Sequence, residues 1–206
     1  MINRVFLLPV WALVVAGVVS AATEKAVAGE VVDRAAEAET FLQGGEPLKA
    51  LGAAEAAYDA TWRAIPLSFT KALFAASAPE GFGRYTPRDK AVFSAGEEIV
   101  VYAEPVGYAY GEGADGFSID LDADLDVRTA SGQILARQTG FSRLSYTSPI
   151  RERAFNVTLT FSFDGLKPGD YVLAVTLRDA HSDKSGSFEL PFAIAASEPP
   201  AAPAKE

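Results

Sequence analysis

The fold is decided by the stretch Phe117-Ser-Ile-Asp-Leu-Asp-Ala-Asp-Leu-Asp-Val127, in which apolar and polar side chains alternate without a break. Successive side chains of a β-strand point to opposite faces of a sheet, so the alternation predicts a strand with one buried and one solvated face. The solvated face would carry the four carboxylates of Asp120, Asp122, Asp124 and Asp126.

The same two-residue period recurs on both sides of this stretch. It predicts seven strands, at about 71–77, 97–105, 117–127, 134–139, 155–163, 171–177 and 188–194. Glycine and proline separate most of them, which favours a mainly-β sandwich over alternating strands and helices. Pro191 cannot donate a hydrogen bond to a neighbouring strand, so we place the last strand at an edge.

The link Leu166-Lys-Pro-Gly-Asp-Tyr171 joins two strong strand patterns. It resembles the tyrosine corner of immunoglobulin-like and fibronectin type III domains. That resemblance implies a structural corner of Leu166, Pro168 and Tyr171, in which the tyrosine hydroxyl bonds back to the crossing backbone. The proline-to-tyrosine spacing is one residue shorter than in the commonest fibronectin form. The cysteine pair of antibody-type domains is absent. The resemblance therefore concerns the fold alone, a seven-stranded immunoglobulin-like β-sandwich over residues 67–196.

An alanine- and glutamate-rich segment precedes the strands and predicts a helical hairpin over residues 23–66. Gly44-Gly45 would end its first helix, whose apolar positions are Val31, Ala35, Ala38 and Leu42. The second would begin at Pro47 and bury Leu48, Leu51, Ala54, Tyr58, Trp62 and Ile65. The segment Gly45-Glu-Pro-Leu-Lys-Ala-Leu51 resembles half of a tetratricopeptide repeat. The hairpin would therefore pack on the strands, form a surface for homo-oligomer formation, or provide a peptide groove.

Residues 1–22 have the order of a Sec-type signal peptide: Arg4, an apolar run, then Ser20-Ala-Ala22. We expect cleavage after Ala22 and a periplasmic or secreted protein, with no membrane insertion after leader removal. An uncleaved N-terminal anchor is the alternative. Residues 197–206, rich in proline and alanine, are predicted to form a disordered tail.

Composition narrows the function classes. The chain has 206 residues, a net charge of −9 and no cysteine. An acidic chain without a basic cluster argues against a nucleic-acid partner. The absence of cysteine excludes disulfides and thiolate chemistry.

The catalytic candidates are few. His181 is the only histidine, in a polar turn with Asp179, Ser182, Asp183 and Ser185. Neighbours within one hairpin loop are poorly placed to form a serine-hydrolase triad, and one histidine leaves a zinc site short of ligands. We therefore expect no enzyme, no catalytic residue, no metal and no cofactor.

Two sets of residues are binding candidates. Alternate carboxylates stand too far apart to surround calcium by themselves, so we expect arginines on adjacent strands to face the aspartates, the candidates being Arg137, Arg143, Arg151 and Arg153. The alternative is a site for a cation or cationic partner. A second set, Tyr102, Tyr108 and Tyr110, occurs in a glycine-containing loop and would either bind a ligand or cover the core.

The function expected from these patterns is an exported, non-catalytic envelope protein that binds or scaffolds a partner, either an envelope protein or a glycan. Two other interpretations are an accessory carbohydrate-binding module and a hydrolase with an unrecognised carboxylate pair.

Overall fold

The structure is a computed structural model that describes residues 18–163 and 165–196, with side chains described from residue 29 onward. The chain divides into two compact units, Met1–Ala64 and Ile65–Glu206. Most of the predicted signal peptide, residues 1–17, and the predicted tail, residues 197–206, lie outside the described residues. Among the residues described, no helix has both the length and the apolar character needed to cross a bilayer.

The first unit contains the two predicted helices, α1 (Val18–Gln43) and α2 (Pro47–Ala64). Gly45 has a φ of 72°, the left-handed conformation that glycine adopts without a side-chain clash. The Glu46 amide donates to the Phe41 carbonyl and the Gly45 amide to that of Leu42, at 2.9 and 3.1 Å. This pair of bonds is a Schellman motif, and it confirms that the two glycines end the first helix.

The buried face predicted for α2 is wrong. Leu48 is 84% exposed and Leu51 58% exposed. Of the six residues assigned to that face, Trp62 alone is buried. The buried positions are instead Ala50, Ala53, Ala60 and Trp62. Small alanine side chains let neighbouring helices approach closely, and this outweighs the hydrophobicity of the leucines.

The second unit is built of strands, so the chain is mainly β with two N-terminal helices. The structure has nine strands in the described residues, against seven predicted, because two short ones add to the long ones. The strands are β1 (Ser68–Ala75), β2 (Val92–Phe93), β3 (Glu98–Val106), β4 (Gly111–Gly113), β5 (Gly116–Thr129), β6 (Ile134–Ser148), β7 (Val157–Ser162), β8 (Gly169–Asp179) and β9 (Ser185–Ile194).

The strands form two sheets. The smaller has the order β1-β3-β7, and the larger the order β2-β9-β8-β5-β4, with β6 also paired to β5. The sheets are curled and include a half-barrel. β9 is the last long strand of its sheet, with only the two-residue β2 outside it, so Pro191 lies near the expected edge.

The core lies on the inward face of the central strands. β5 alternates as predicted, and its buried residues are Ile119, Leu121, Ala123, Leu125 and Val127. β3 is buried on both faces. Val100 and Tyr102 on its second face pack with Ala75, and partly buried Leu73 and Tyr85 pack against them. Tyr85 lies in the segment that connects β1 to β2, which therefore covers this face of the small sheet.

β6 is longer than predicted, 15 residues instead of the expected short strand. Gly140, with a φ of 59°, lies in its middle, where the pairing with β5 shifts register between Ala123 and Leu125. Between Gln138 and Ser142, β6 contains two residues more than the stretch of β5 that it pairs with, and the strand continues beyond this bulge. The alternation that predicts β6 therefore stops near Gly140, although the strand itself continues to Ser148.

Candidate functional site

Asp120, Asp122, Asp124 and Asp126, the Asp row, lie on the outward face of β5. Arg137 on β6 donates from Nε and Nη2 to the two carboxylate oxygens of Asp126, at 2.7 and 2.8 Å. Arg128 adds a third bond to Asp126 at 3.0 Å. These hydrogen bonds, the one from Arg137 above all, lower the pKa of Asp126 to about 2.

Asp124 also accepts a bidentate bond from an arginine, which lies on β8, the strand on the other side of β5. Arg178 on β8 donates from Nε and Nη2 at 2.9 and 3.1 Å, and the Gly140 amide donates at 2.7 Å. The hydrogen bonding by Arg178 lowers the pKa of Asp124. Asp122 has a looser pair with Arg143, at 3.9 Å.

The expectation that arginines face the row is confirmed for Arg137 and Arg143, whereas Arg151 pairs with Glu112 instead. Arg178 was missed, although its position in a strong strand pattern could have indicated it. Within the described part of the chain, no three His, Cys, Asp or Glu side chains are grouped to hold a metal ion. The arrangement is that of a cross-strand charge ladder.

Asp120 belongs to a separate cluster around His181. The imidazole Nε2 lies 2.6 Å from Asp120 Oδ2 and 3.1 Å from Ser118 Oγ, and Ser145 donates to Asp120 Oδ1 at 2.6 Å. A relay from acid through histidine to nucleophile uses both ring nitrogens, one for each partner. Because Asp120 and Ser118 share the same nitrogen here, this geometry does not form a catalytic triad.

The loop around His181 is organised by Asp179, which is 6% exposed. Its carboxylate accepts the His181 amide at 2.9 Å, the Ser182 hydroxyl at 2.7 Å and the Ala109 amide at 2.7 Å. The Ser182 hydroxyl therefore donates to Asp179 rather than to the imidazole. These bonds fix the backbone of the turn, as buried carboxylates do when they accept several donors.

The three tyrosines proposed as a binding set do not lie together. Tyr102 is fully buried on β3 and stacks on Tyr85, with centroids 4.3 Å apart. Its hydroxyl donates to the buried carboxylate of Glu104 at 2.7 Å, and burial raises its pKa to about 12. Glu104, which also accepts from Thr70 at 3.0 Å, was not singled out from the sequence.

Tyr108 and Tyr110 do lie together. Their rings meet edge to face with centroids 5.4 Å apart, and both hydroxyls donate to the carbonyl of Glu152, at 2.8 and 2.7 Å. Tyr108 is 1% exposed, so a ligand at the surface would meet Tyr110 first.

The predicted corner contains a backward hydrogen bond. The hydroxyl of Tyr171 donates to the carbonyl oxygen of Lys167 at 2.7 Å, at the start of β8. The bond ties the connection that follows β7 to the strand it enters. It has the geometry of a tyrosine corner.

The exposure of β6 was not anticipated from the sequence. Eleven of the 15 residues of β6 are exposed, and Ser148 alone is buried. Between β6 and β7 lies a cavity of about 340 Å³, which we call the β6–β7 cavity. Its lining is formed by Leu125, Ala136, Arg137, Gln138, Phe141, Thr160, Phe161, Ser162 and Phe163.

Comparison with known proteins gives no family. No protein-family model matches the chain, and no curated protein matches it. Among solved structures, the PKD domain of a peptidase from a Thermoplasmatales archaeon is similar over 64% of this chain and 98% of that chain, at 8% identity and a TM-score of 0.35. The superoxide reductase (neelaredoxin) of Ignicoccus hospitalis is similar over 61% and 81%, at 13% identity and a TM-score of 0.33.

A CARDB domain from Pyrococcus furiosus is similar over 52% of this chain and 89% of that chain, at 14% identity and a TM-score of 0.27. The matches thus include β-sandwich domains and an enzyme. At these scores they carry no argument about function.

Proposed function

We propose that residues 67–196 form an immunoglobulin-like β-sandwich. The strand order supports this proposal, because β1-β3-β7 and β9-β8-β5 correspond to strands A-B-E and G-F-C of that fold. The corner tyrosine also falls at the start of the strand that would be F. No described strand occupies the place of strand D beside β7.

We further propose that the protein is exported, as the signal-peptide pattern of residues 1–22 predicts, and that it is a non-catalytic protein that binds a partner, an envelope protein in the first instance. One contrast carries the proposal. Most side chains that the sequence offers for chemistry or binding are engaged in structural bonds, among them His181, Asp179 and Ser182, whereas β6 is exposed along almost its whole length. Long exposed strand edges in soluble proteins are normally covered or shortened, and those that persist are sites of pairing with another chain.

Export is tested by producing the full chain, tagged at its C-terminus, in a Gram-negative host. The protein in the periplasm or medium should begin at Thr23 when its N-terminus is read by mass spectrometry. Leu13→Arg, which interrupts the apolar run, should keep the chain unprocessed in the cytoplasm. Recovery of full-length, membrane-bound protein would favour the uncleaved anchor instead.

Partner binding is tested with the purified mature protein as bait in an envelope extract. A captured protein should be purified in turn and should bind the bait in a two-component assay after glycans are removed. Retention by isolated cell-wall polysaccharide alone would favour a carbohydrate-binding module. Release of a product, abolished by a single Asp or Glu substitution, would favour a hydrolase.

The helical unit is proposed as a surface for self-association. Val32, Leu42, Leu48 and Leu51 are all more than half exposed, at 66%, 63%, 84% and 58%, which supports the proposal. Sedimentation of the mature protein should show an oligomer that Leu48→Glu dissociates, whereas Glu55→Gln on the same helix should leave it intact. A monomer at all concentrations would remove this part of the proposal.

A further inference from the structure

Two strand edges remain without a partner on one side of the β unit. β6 pairs with β5 along Ile134–Ser148, and β7 pairs with β3 along Val157–Ser162. No strand in the described ranges, 18–163 and 165–196, pairs with the second edge of either. Alternate backbone amides and carbonyls of a strand point to each side, so half of these groups face away from the existing sheets.

The space beside these edges has an aromatic wall, although polar residues also line it. The β6–β7 cavity of about 340 Å³ lies at the low end of ligand-pocket sizes. The rings of this wall contact one another, since the centroids of Phe141 and Phe161 lie 5.3 Å apart and Phe161 stacks on Phe163 at 6.0 Å. The cavity therefore suits apolar side chains that enter from an added strand.

The charges on β6 are of one sign. Arg137 and Arg143 are its only residues charged at neutral pH, in a chain whose net charge is −9. Their side chains are 59% and 63% exposed, and Arg143 lies only 3.9 Å from Asp122 in a loose pair. Both face outward beside the Asp row. A strand placed next to β6 with carboxylates on that face would give each arginine a second acidic neighbour.

We propose that β6 is the docking edge for an extended segment of the partner protein, which adds a strand to the larger sheet. The segment alternates apolar residues, directed to the β6–β7 cavity, with Asp or Glu residues beside Arg137 and Arg143. This inference rests on the proposed binding function and names its site and the chemistry of its ligand. Main-chain hydrogen bonds give such complexes affinity, and alternate side chains give them specificity.

A second copy of this chain fits the edge less well. Pairing β6 with β6 would bring arginines near arginines, because this strand carries no acidic residue. Like charges on adjacent strands destabilise the pairing. The charge pattern therefore favours an acidic partner strand over self-pairing.

The probe is a synthetic peptide of alternating valine and glutamate, titrated against the mature protein and followed by amide NMR shifts. We expect saturable binding with the largest shifts in β6. A peptide that alternates valine and lysine should bind about fivefold or more weakly, since two cross-strand charge pairs become repulsive. A peptide of the same composition in separate valine and glutamate blocks should not bind.

Backbone pairing is tested with two N-methylated forms of the valine–glutamate peptide. Methylation of every second residue removes the amides on one edge only. One form should therefore lose binding, and the form methylated on the opposite edge should retain it. Equal behaviour of the two forms would overturn strand addition.

Arg143→Gln should weaken the valine–glutamate peptide about two- to fivefold, and Arg143→Glu should shift the preference toward the lysine peptide. Arg34→Gln is the matched control, because Arg34 is an exposed arginine paired with Glu37 on α1. It should leave binding unchanged. Absence of peptide binding, equal binding of both charge types, or protection of β6 by self-association would overturn the inference.

The two proposals fail separately. If a purified partner binds wild type and Arg143→Gln equally, without shifts in β6, the docking edge is wrong and the binding function stands. If the valine–glutamate peptide binds β6 but no envelope partner is captured, the envelope function is wrong. The proposal that β6 binds an acidic strand then stands.

Discussion

β5 and β6 are neighbours in one sheet and almost equal in length, 14 and 15 residues, yet their environments are opposite. No residue of β5 is exposed, since β8 and β6 pair with its two edges and its inward side chains form the core. β6 is paired on one edge, and eleven of its residues are exposed. The difference arises from what surrounds each strand, because both have sequences that form strands.

The charged residues of the two strands also differ in their surroundings. On β5, three of the four carboxylates of the Asp row meet arginines of the flanking strands, and the fourth, that of Asp120, meets His181 and Ser145. On β6 the same arginines keep more than half of their side chains in solvent and a free strand edge beside them. The first strand therefore contributes its residues to the fold, whereas the second leaves one edge without a strand partner among the described residues.

The largest effect is expected in hydrogen exchange. β8, paired on both edges, should exchange its amides only on global unfolding, whereas the amides of β6 that point away from β5 should exchange almost freely. We expect the opening free energies to differ by at least about 3 kcal/mol. Exchange measured by NMR on the mature protein checks this, and uniform protection across both strands would contradict the contrast.

A pair of leucines tests the contrast by mutation. Leu121→Ala on β5 removes a fully buried side chain and should lower the free energy of unfolding by about 2–5 kcal/mol. Leu135→Ala on β6, where the side chain is 46% exposed, should lower it by less than about 0.5 kcal/mol. Urea unfolding measures both. Equal losses would mean that β6 is covered in solution.

The same contrast explains what could be read from the sequence. The sequences of β5, β7, β8 and β9 alternate because each strand buries one face. This two-residue period predicted the four strands and the mainly-β class. Gly44-Gly45 and Pro47 predicted the helix boundaries because their backbone requirements are local. These features depend on residues close together in the chain.

Other features depend on contacts between distant residues. The length of β6 was underestimated because the bulge at Gly140 interrupts the alternation, and its exposure follows from the absence of a covering strand. The face of α2 was misassigned because helix packing favoured alanines over leucines. Arg178 and Glu104 were missed because their partners come from other strands.

Asp126 is expected to contribute to stability in a pH-dependent way. Its pKa in the folded state is about 2, below its ordinary value of 3.8, so its contribution is present above pH 3.8 and is lost as pH falls through 2. Asp126→Asn should cost about 1.5 kcal/mol at neutral pH, a value limited by solvent around the 59% exposed Arg137. The difference from wild type should fall to about 0.4 kcal/mol near pH 2 and vanish below that pH.

Asp122→Asn is the matched control for that experiment, because its pair with Arg143 is 3.9 Å long. It should cost less than Asp126→Asn in urea unfolding at neutral pH. A cost of Asp126→Asn that persists unchanged at acid pH would show that the carboxylate charge is not the cause.

The smallest effect is expected at two tyrosines. Tyr171→Phe removes the hydrogen bond to the Lys167 carbonyl, at 2.7 Å, and should lower the free energy of unfolding by about 0.5–1 kcal/mol. Tyr146→Phe on β6, where the ring is 42% exposed, should leave it unchanged within error. Because each substitution deletes a single oxygen, the pair compares the two environments with almost no change in volume. A loss at Tyr146 as large as that at Tyr171 would place β6 among the stabilising strands and leave its free edge without a function.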